Sequence, residues 1–115
     1  MRSHISSLSS EIVNRPTLLI ENGGFATNFN IRKMGNIVIA CINFHLPAGT
    51  YTSNMPIMEG FPRPLTNVSI STSTNSNSKV AQRFVLRTSG SLCTDDAYTD
   101  NNITYFSATV AYFVG

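Results

Sequence analysis

Between Gly35 and Leu46 the chain reads GNIVIACINFHL, and six apolar residues run unbroken from Ile37 to Ile42. A strand with one wet face alternates apolar and polar positions, and this one does not. Val38, Ala40, Ile42, Phe44 and Leu46 load one face while Ile37, Ile39 and Cys41 load the other. Both faces therefore need cover. With little helical sequence to lay over a sheet, the second cover is another copy of the protein, which makes Ile37, Ile39 and Cys41 the candidate subunit interface.

The same alternation runs through most of the chain. Thr17 to Glu21 reads as a short strand, Asn22-Gly23-Gly24 as a turn, and Phe25 to Lys33 as a strand with Phe25, Thr27, Phe29 and Ile31 on one face. Met34-Gly35-Asn36 then turns the chain into the apolar strand, and the two are expected to pair as a hairpin at the centre of a sheet. Residues 47–64 hold Pro47, Pro56, Pro62 and Pro64 with Gly49 and Gly60, and predict a long irregular crossover. Leu65 to Thr74 and Val80 to Thr88 alternate again, separated by the loop Asn75-Ser76-Asn77-Ser78. Ser89-Gly90-Ser91 is a tight turn into Leu92 and Cys93, Thr94 to Asn102 a polar loop, and Ile103 to Val114 a second strand with apolar residues on both faces. Seven or eight short antiparallel strands with one long crossover predict an all-β jelly roll or β-sandwich.

Residues 1–16 differ. Ile5, Leu8 and Ile12 are spaced three then four apart among serines, the a/d pattern of a helical seam. At most two heptads long, this segment is either the end of an oligomeric stalk or an extension lying against the domain at 17–115.

Composition narrows the class. One domain is expected from 115 residues, with thin margin for a core. Ser, Thr and Asn number 14, 12 and 12, a third of the chain, which suits short strands and polar turns, and 42% hydrophobic residues exclude disorder. The eight basic residues are scattered, without the basic stripe and interleaved aromatics of a nucleic-acid binder, so no nucleic-acid partner is expected. No segment reaches the roughly 18 apolar residues that span a bilayer, nor is there a secretory apolar stretch, so neither membrane insertion nor export is expected. Cys41 and Cys93 have no His or Cys at metal-ligand spacing and read as free thiols in a reducing cytoplasm.

Chemistry is sparse. His4 and His45 lie apart, no Gly-x-Ser-x-Gly turn is present, and neither an enzyme nor a cofactor or metal is expected. The concentrated carboxylates are Asp95, Asp96 and Asp100 in TDDAYTDNN, without the glycine and closing glutamate of a calcium loop. With Tyr98 to stack on a ring face and Asn101 to exchange hydrogen bonds with hydroxyls, this loop is a candidate saccharide site, or else a solvated turn. Arg63, held between Pro62 and Pro64, is a further candidate donor; the alternative is a turn that packs Phe61 inward and leaves Arg63 solvated.

The order of RKMGNIVIACINF, MEGFPRPLTNVSI, FVLRTSGSL and ITYFSATVAYF, over residues 17–114, resembles the C-terminal receptor-binding heads of bacteriophage tail-fibre and baseplate proteins. That resemblance implies a homotrimer of jelly-roll heads at the tail tip of a virion assembled in the host cytoplasm, joined to other tail or baseplate proteins and binding host cell-surface saccharide without catalysis. The chain departs from several such heads in having no Trp, so a tyrosine must do the stacking. Two other readings share the trimer: an architectural cap or collar that terminates a fibre, and an adhesin jelly roll like those of complement and tumour necrosis factor.

Overall fold

The computed structural model describes residues 11–12, 15–20, 27–74 and 83–115. Its strands are β1 (Glu11–Ile12), β2 (Thr17–Leu18), β3 (Asn28–Met34), β4 (Ile37–Leu46), β5 (Gly49–Tyr51), β6 (Pro56–Glu59), β7 (Val68–Ser71), β8 (Ser73–Thr74), β9 (Arg83–Leu86), β10 (Leu92–Thr94), β11 (Tyr98–Asp100) and β12 (Thr104–Phe113). Two five-stranded antiparallel sheets, β1-β3-β4-β12-β8 and β2-β6-β10-β9-β7, form a β-sandwich, and β5 and β11 form a separate two-stranded ribbon.

The expected hairpin is present. Met34 pairs with Ile37 across a two-residue turn, and Gly35 takes φ 58°, at the first turn position where tight hairpins place glycine. β4 is the central strand of its sheet, paired along its whole length with β12 from Thr104↔Leu46 to Phe113↔Ile37. Its inner face, Val38, Ala40, Ile42, Phe44 and Leu46, is fully buried against Ile57, Met58, Ile70, Phe84, Leu86 and Leu92 from the other sheet. Phe44 stacks on Phe106 at 5.3 Å, and Phe84 closes the triad edge-on to both. Thr94, buried without apolar excuse, is satisfied: its hydroxyl donates to Thr52 O and accepts from Met55 N.

Three expectations are corrected. The 47–64 segment is not an irregular crossover throughout, because it supplies β5 and β6; Pro56 is tolerated as the first residue of its strand, where a missing N–H costs least. The 94–102 loop contains β11, since Tyr98 and Tyr51 sit opposite one another and stack at 4.8 Å. Ile12, read as part of a helical seam, is extended in β1 opposite Arg32: ladder hydrogen bonds to β3 outweigh an isolated helix of two heptads. Ile5 and Leu8 lie outside the described residues, as does Phe25.

The turn at 89–91 is sequence-legible and tightly built. Gly90 has φ 88° and its carbonyl accepts from Phe61 N at 3.1 Å, so the two backbones touch. An added Cβ there would lie 2.5 Å from Phe61 O. Gly90→Ala is expected to destabilise the domain by about 1–3 kcal/mol from backbone conformation alone, with the clash adding to it. Gly35→Asn should be near neutral, since φ 58° lies in the left-handed region that Asn tolerates and there is open space around the site. Urea midpoints of the two variants check the contrast.

Candidate functional site

The outward face of the first sheet is built in rungs. Register places Met34, Ile37 and Phe113 side by side, then Arg32, Ile39 and Ala111, then Asn30, Cys41 and Thr109, then Asn28, Asn43, Ser107 and Ser73. The first rung is apolar and the second carries Arg32 beside Ile39 and Ala111; Met34 is 41%, Ile37 40%, Ile39 37% and Phe113 63% exposed. Leu65, 62% exposed, joins them through its N–H bond to Phe113 O. Scattered exposed apolar residues are ordinary, whereas a contiguous group at one sheet end is a candidate interaction surface. Cys41 is half-buried on the next rung, where its sulfur accepts from Thr109 Oγ1 at 3.6 Å, and no disulfide joins it to Cys93.

The carboxylate loop is differently arranged. Asp95 faces Arg83 at 3.6 Å, while its backbone carbonyl accepts from Ser53 Oγ. Asp100 spends both carboxylate oxygens on its own turn, one accepting from Asn102 N and the other from Thr104 Oγ1. Tyr98 has one ring face covered by Tyr51, so at most the other is available to a sugar ring. Its hydroxyl is buried without a hydrogen-bond partner among the described residues, and burial, then Tyr51 and Asp100, push its pKa up. Asp96 and Asn101 remain exposed on the rim.

Arg63 does not join this loop. It is exposed, with its stem near Gly90, ahead of β10, whereas Asp95 follows that strand at its other end. Around it, Phe61 is buried and Pro62 O accepts from Tyr112 Oη at 2.9 Å, so the Pro-rich segment anchors the core while the guanidinium stays in water.

Burial pushes the Tyr112 hydroxyl up to about 12 from its ordinary 10.0, and those of Tyr51 and Tyr98 move in the same direction. The neutral forms are favoured in the fold, so this contribution is whole below pH 10 and is lost as pH rises through about 12. The denaturation midpoint should fall between roughly pH 10 and 12, and Tyr112→Phe should flatten part of that fall.

Sequence reasoning missed a slot beside β12. The stretch read as one strand from 65 to 74 divides at Thr72: β7 belongs to the second sheet and β8 to the first. The divergence opens a cavity of about 330 Å³ lined by Cys41, Asn43, Ser71, Ser73, Ser107 and Thr109. A second, of about 460 Å³, lies against Leu65, Val68, Ala111, Tyr112 and Phe113. Alternation alone carries no signal for the division, because Val68, Ile70 and Thr72 keep period two across it.

Among the described residues no group of three His, Cys, Asp or Glu side chains could hold a metal ion. Comparison with protein-family models and with curated proteins finds no match to the chain.

Proposed function

We propose that this β-sandwich is a non-enzymatic head domain of the phage tail-fibre and baseplate kind, assembled as a homotrimer and binding host cell-surface saccharide. The observation that carries the proposal is the exposed apolar end of the first sheet, Met34, Ile37, Ile39, Ala111 and Phe113, which a monomer leaves in water and a symmetric assembly covers. Three copies per head, and several heads per particle, would let shallow sites hold a surface through avidity. Asp96 and Asn101 on the exposed rim, with the part of Tyr98 that Tyr51 and the core leave uncovered, are the groups offered to the sugar.

A purely architectural cap is the second reading. It is favoured by Asp95 and Asp100, whose carboxylates are engaged within the fold. A glycan array probed with the purified chain and with Asp96→Ala/Asn101→Ala separates the two. Binding to at least one envelope saccharide, weakened tenfold or more in the variant, supports the receptor-binding reading. Silence across the array, with the trimer intact, gives the architectural one.

A further inference from the structure

The outward face of the first sheet changes chemistry along its length. Past the apolar end come the amide and hydroxyl rungs, Asn30, Cys41 and Thr109, then Asn28, Asn43, Ser107 and Ser73. After them come His45 and Tyr105, opposite one another with ring centroids 5.0 Å apart. The cavity of about 330 Å³ opens over the polar rungs, and none of its lining side chains is charged. That volume is at the small end of ligand sites, which run from roughly 300 to 1,000 Å³.

Hydrogen bonds within the face fix what it offers. Tyr105 Oη donates to Asn43 Oδ1 at 3.0 Å, so the planar amide turns its two Nδ2 hydrogens the other way. Thr109 Oγ1 gives its proton to Cys41 Sγ at 3.6 Å and keeps lone pairs for an incoming donor. Arg32 Nε donates to Asn30 Oδ1, which likewise leaves that amide's hydrogens to donate. Ser107 and Ser73, opposite one another on β12 and β8, supply hydroxyls that serve either way. Donors and acceptors thus alternate on neighbouring strands. The vicinal hydroxyls of a sugar match such a pattern, because each gives and takes a hydrogen bond.

We propose that this cavity is a second saccharide site, separate from the rim at 96–101, and that it takes a neutral pyranose. The proposal deepens the receptor-binding reading above and rests on it. Asn43 Nδ2, Thr109 Oγ1 and the hydroxyls of Ser107 and Ser73 bind the sugar hydroxyls. The half-buried ring of Tyr105, two positions from Ser107 along β12, offers the C–H face of the sugar an apolar neighbour. A carboxylate or phosphate on the sugar would meet no cation in the lining, which favours the neutral class. Strands lie about 4.8 Å apart, close to the repeat of an extended pyranose chain. A glycan running across the sheet from β8 towards β3 therefore meets Ser73, Ser107, Asn43 and Asn28 in turn. The apolar end is left to the contact between copies.

Titration of the isotope-labelled full-length chain with maltotriose, chitotriose or a rhamnose trisaccharide, at millimolar concentration, tests the site by backbone amide shifts. At least one of these neutral probes should move Cys41, Asn43, Ser107 and Thr109 along one binding curve. Ser107→Ala with Thr109→Val removes two hydroxyls and should weaken that curve about tenfold. Ser73→Lys, exposed on an edge strand that tolerates lysine, should block it. Asp96→Ala with Asn101→Ala should leave it unchanged. Shifts confined to 96–101, or a midpoint unaltered by the Ser107/Thr109 variant, overturn the cavity as a site and leave the receptor-binding reading standing; should that variant not fold, Ser73→Lys decides. Tighter binding of sialyllactose than of every neutral probe overturns the neutral class. A panel that moves no amide sinks the cavity proposal, and a glycan array silent for the wild-type chain sinks the receptor-binding reading with it.

Discussion

Phe44→Ala should cost the domain about 3–5 kcal/mol, the largest loss expected from any single truncation. Phe44 is fully buried at the middle of the central strand, stacked on Phe106 and edge-on to Phe84, so its removal opens a cavity between the two sheets. Phe106 and Phe84 sit 5.3 Å apart on strands from opposite sheets, so the ring they lose joins both sheets. A domain of this size has total stability on the order of 5–15 kcal/mol, so the variant should be partly unfolded near its growth temperature. Equilibrium urea denaturation measures the difference, and Phe44→Leu should recover part of it by keeping some of the volume. A loss below about 1 kcal/mol would mean that the two sheets do not meet on this triad.

Ile39→Asp should leave the monomer folded and dismantle the assembly. Ile39 is 37% exposed on the outward face, with Arg32 beside it in register, so in a lone copy the new carboxylate is hydrated and has a cationic neighbour. In a trimer that buries this face, each copy brings a further charge out of water, and Arg32 in the same rung offsets only part of a desolvation cost of several kcal/mol per site. Thermal unfolding at low concentration should be close to wild type, while the mass in solution falls to one copy. Loss of fold at low concentration would instead place Ile39 in the core of the monomer. A mass unchanged from wild type would take it out of the subunit contact.

Much of the fold is legible where local pattern and tertiary need coincide. The unbroken run in β4 announces that both faces are apolar, and the structure separates them into Val38, Ala40, Ile42, Phe44 and Leu46 in the core and Ile37 and Ile39 in water. The glycine turn, the alternation of Phe84 and Leu86 against Val85, and the aromatic closing strand are readable for the same reason. Legibility fails where pairing is remote and short. β5 and β11 are three residues each, joined by Tyr51 and Tyr98 from 47 positions apart, and no three-residue window can announce that partnership. The division of 65–74 between two sheets is likewise a property of the neighbours, β9 on one side and β12 on the other.

The candidate site was legible as composition and not as geometry. Asp95, Asp96 and Asp100 look alike in sequence, yet Thr104 and Asn102 engage the last, Arg83 the first, and Asp96 alone is left on the rim. Arg63 shares the polar chemistry of that loop but lies beyond the opposite end of β10.

Self-association of the outward face is the claim on which the rest depends, and the mass of the wild-type chain in solution tests it most directly. Light scattering coupled to size exclusion, at tens of micromolar, should give three times 12.6 kDa. A stable, soluble species of 12.6 kDa at that concentration would contradict it.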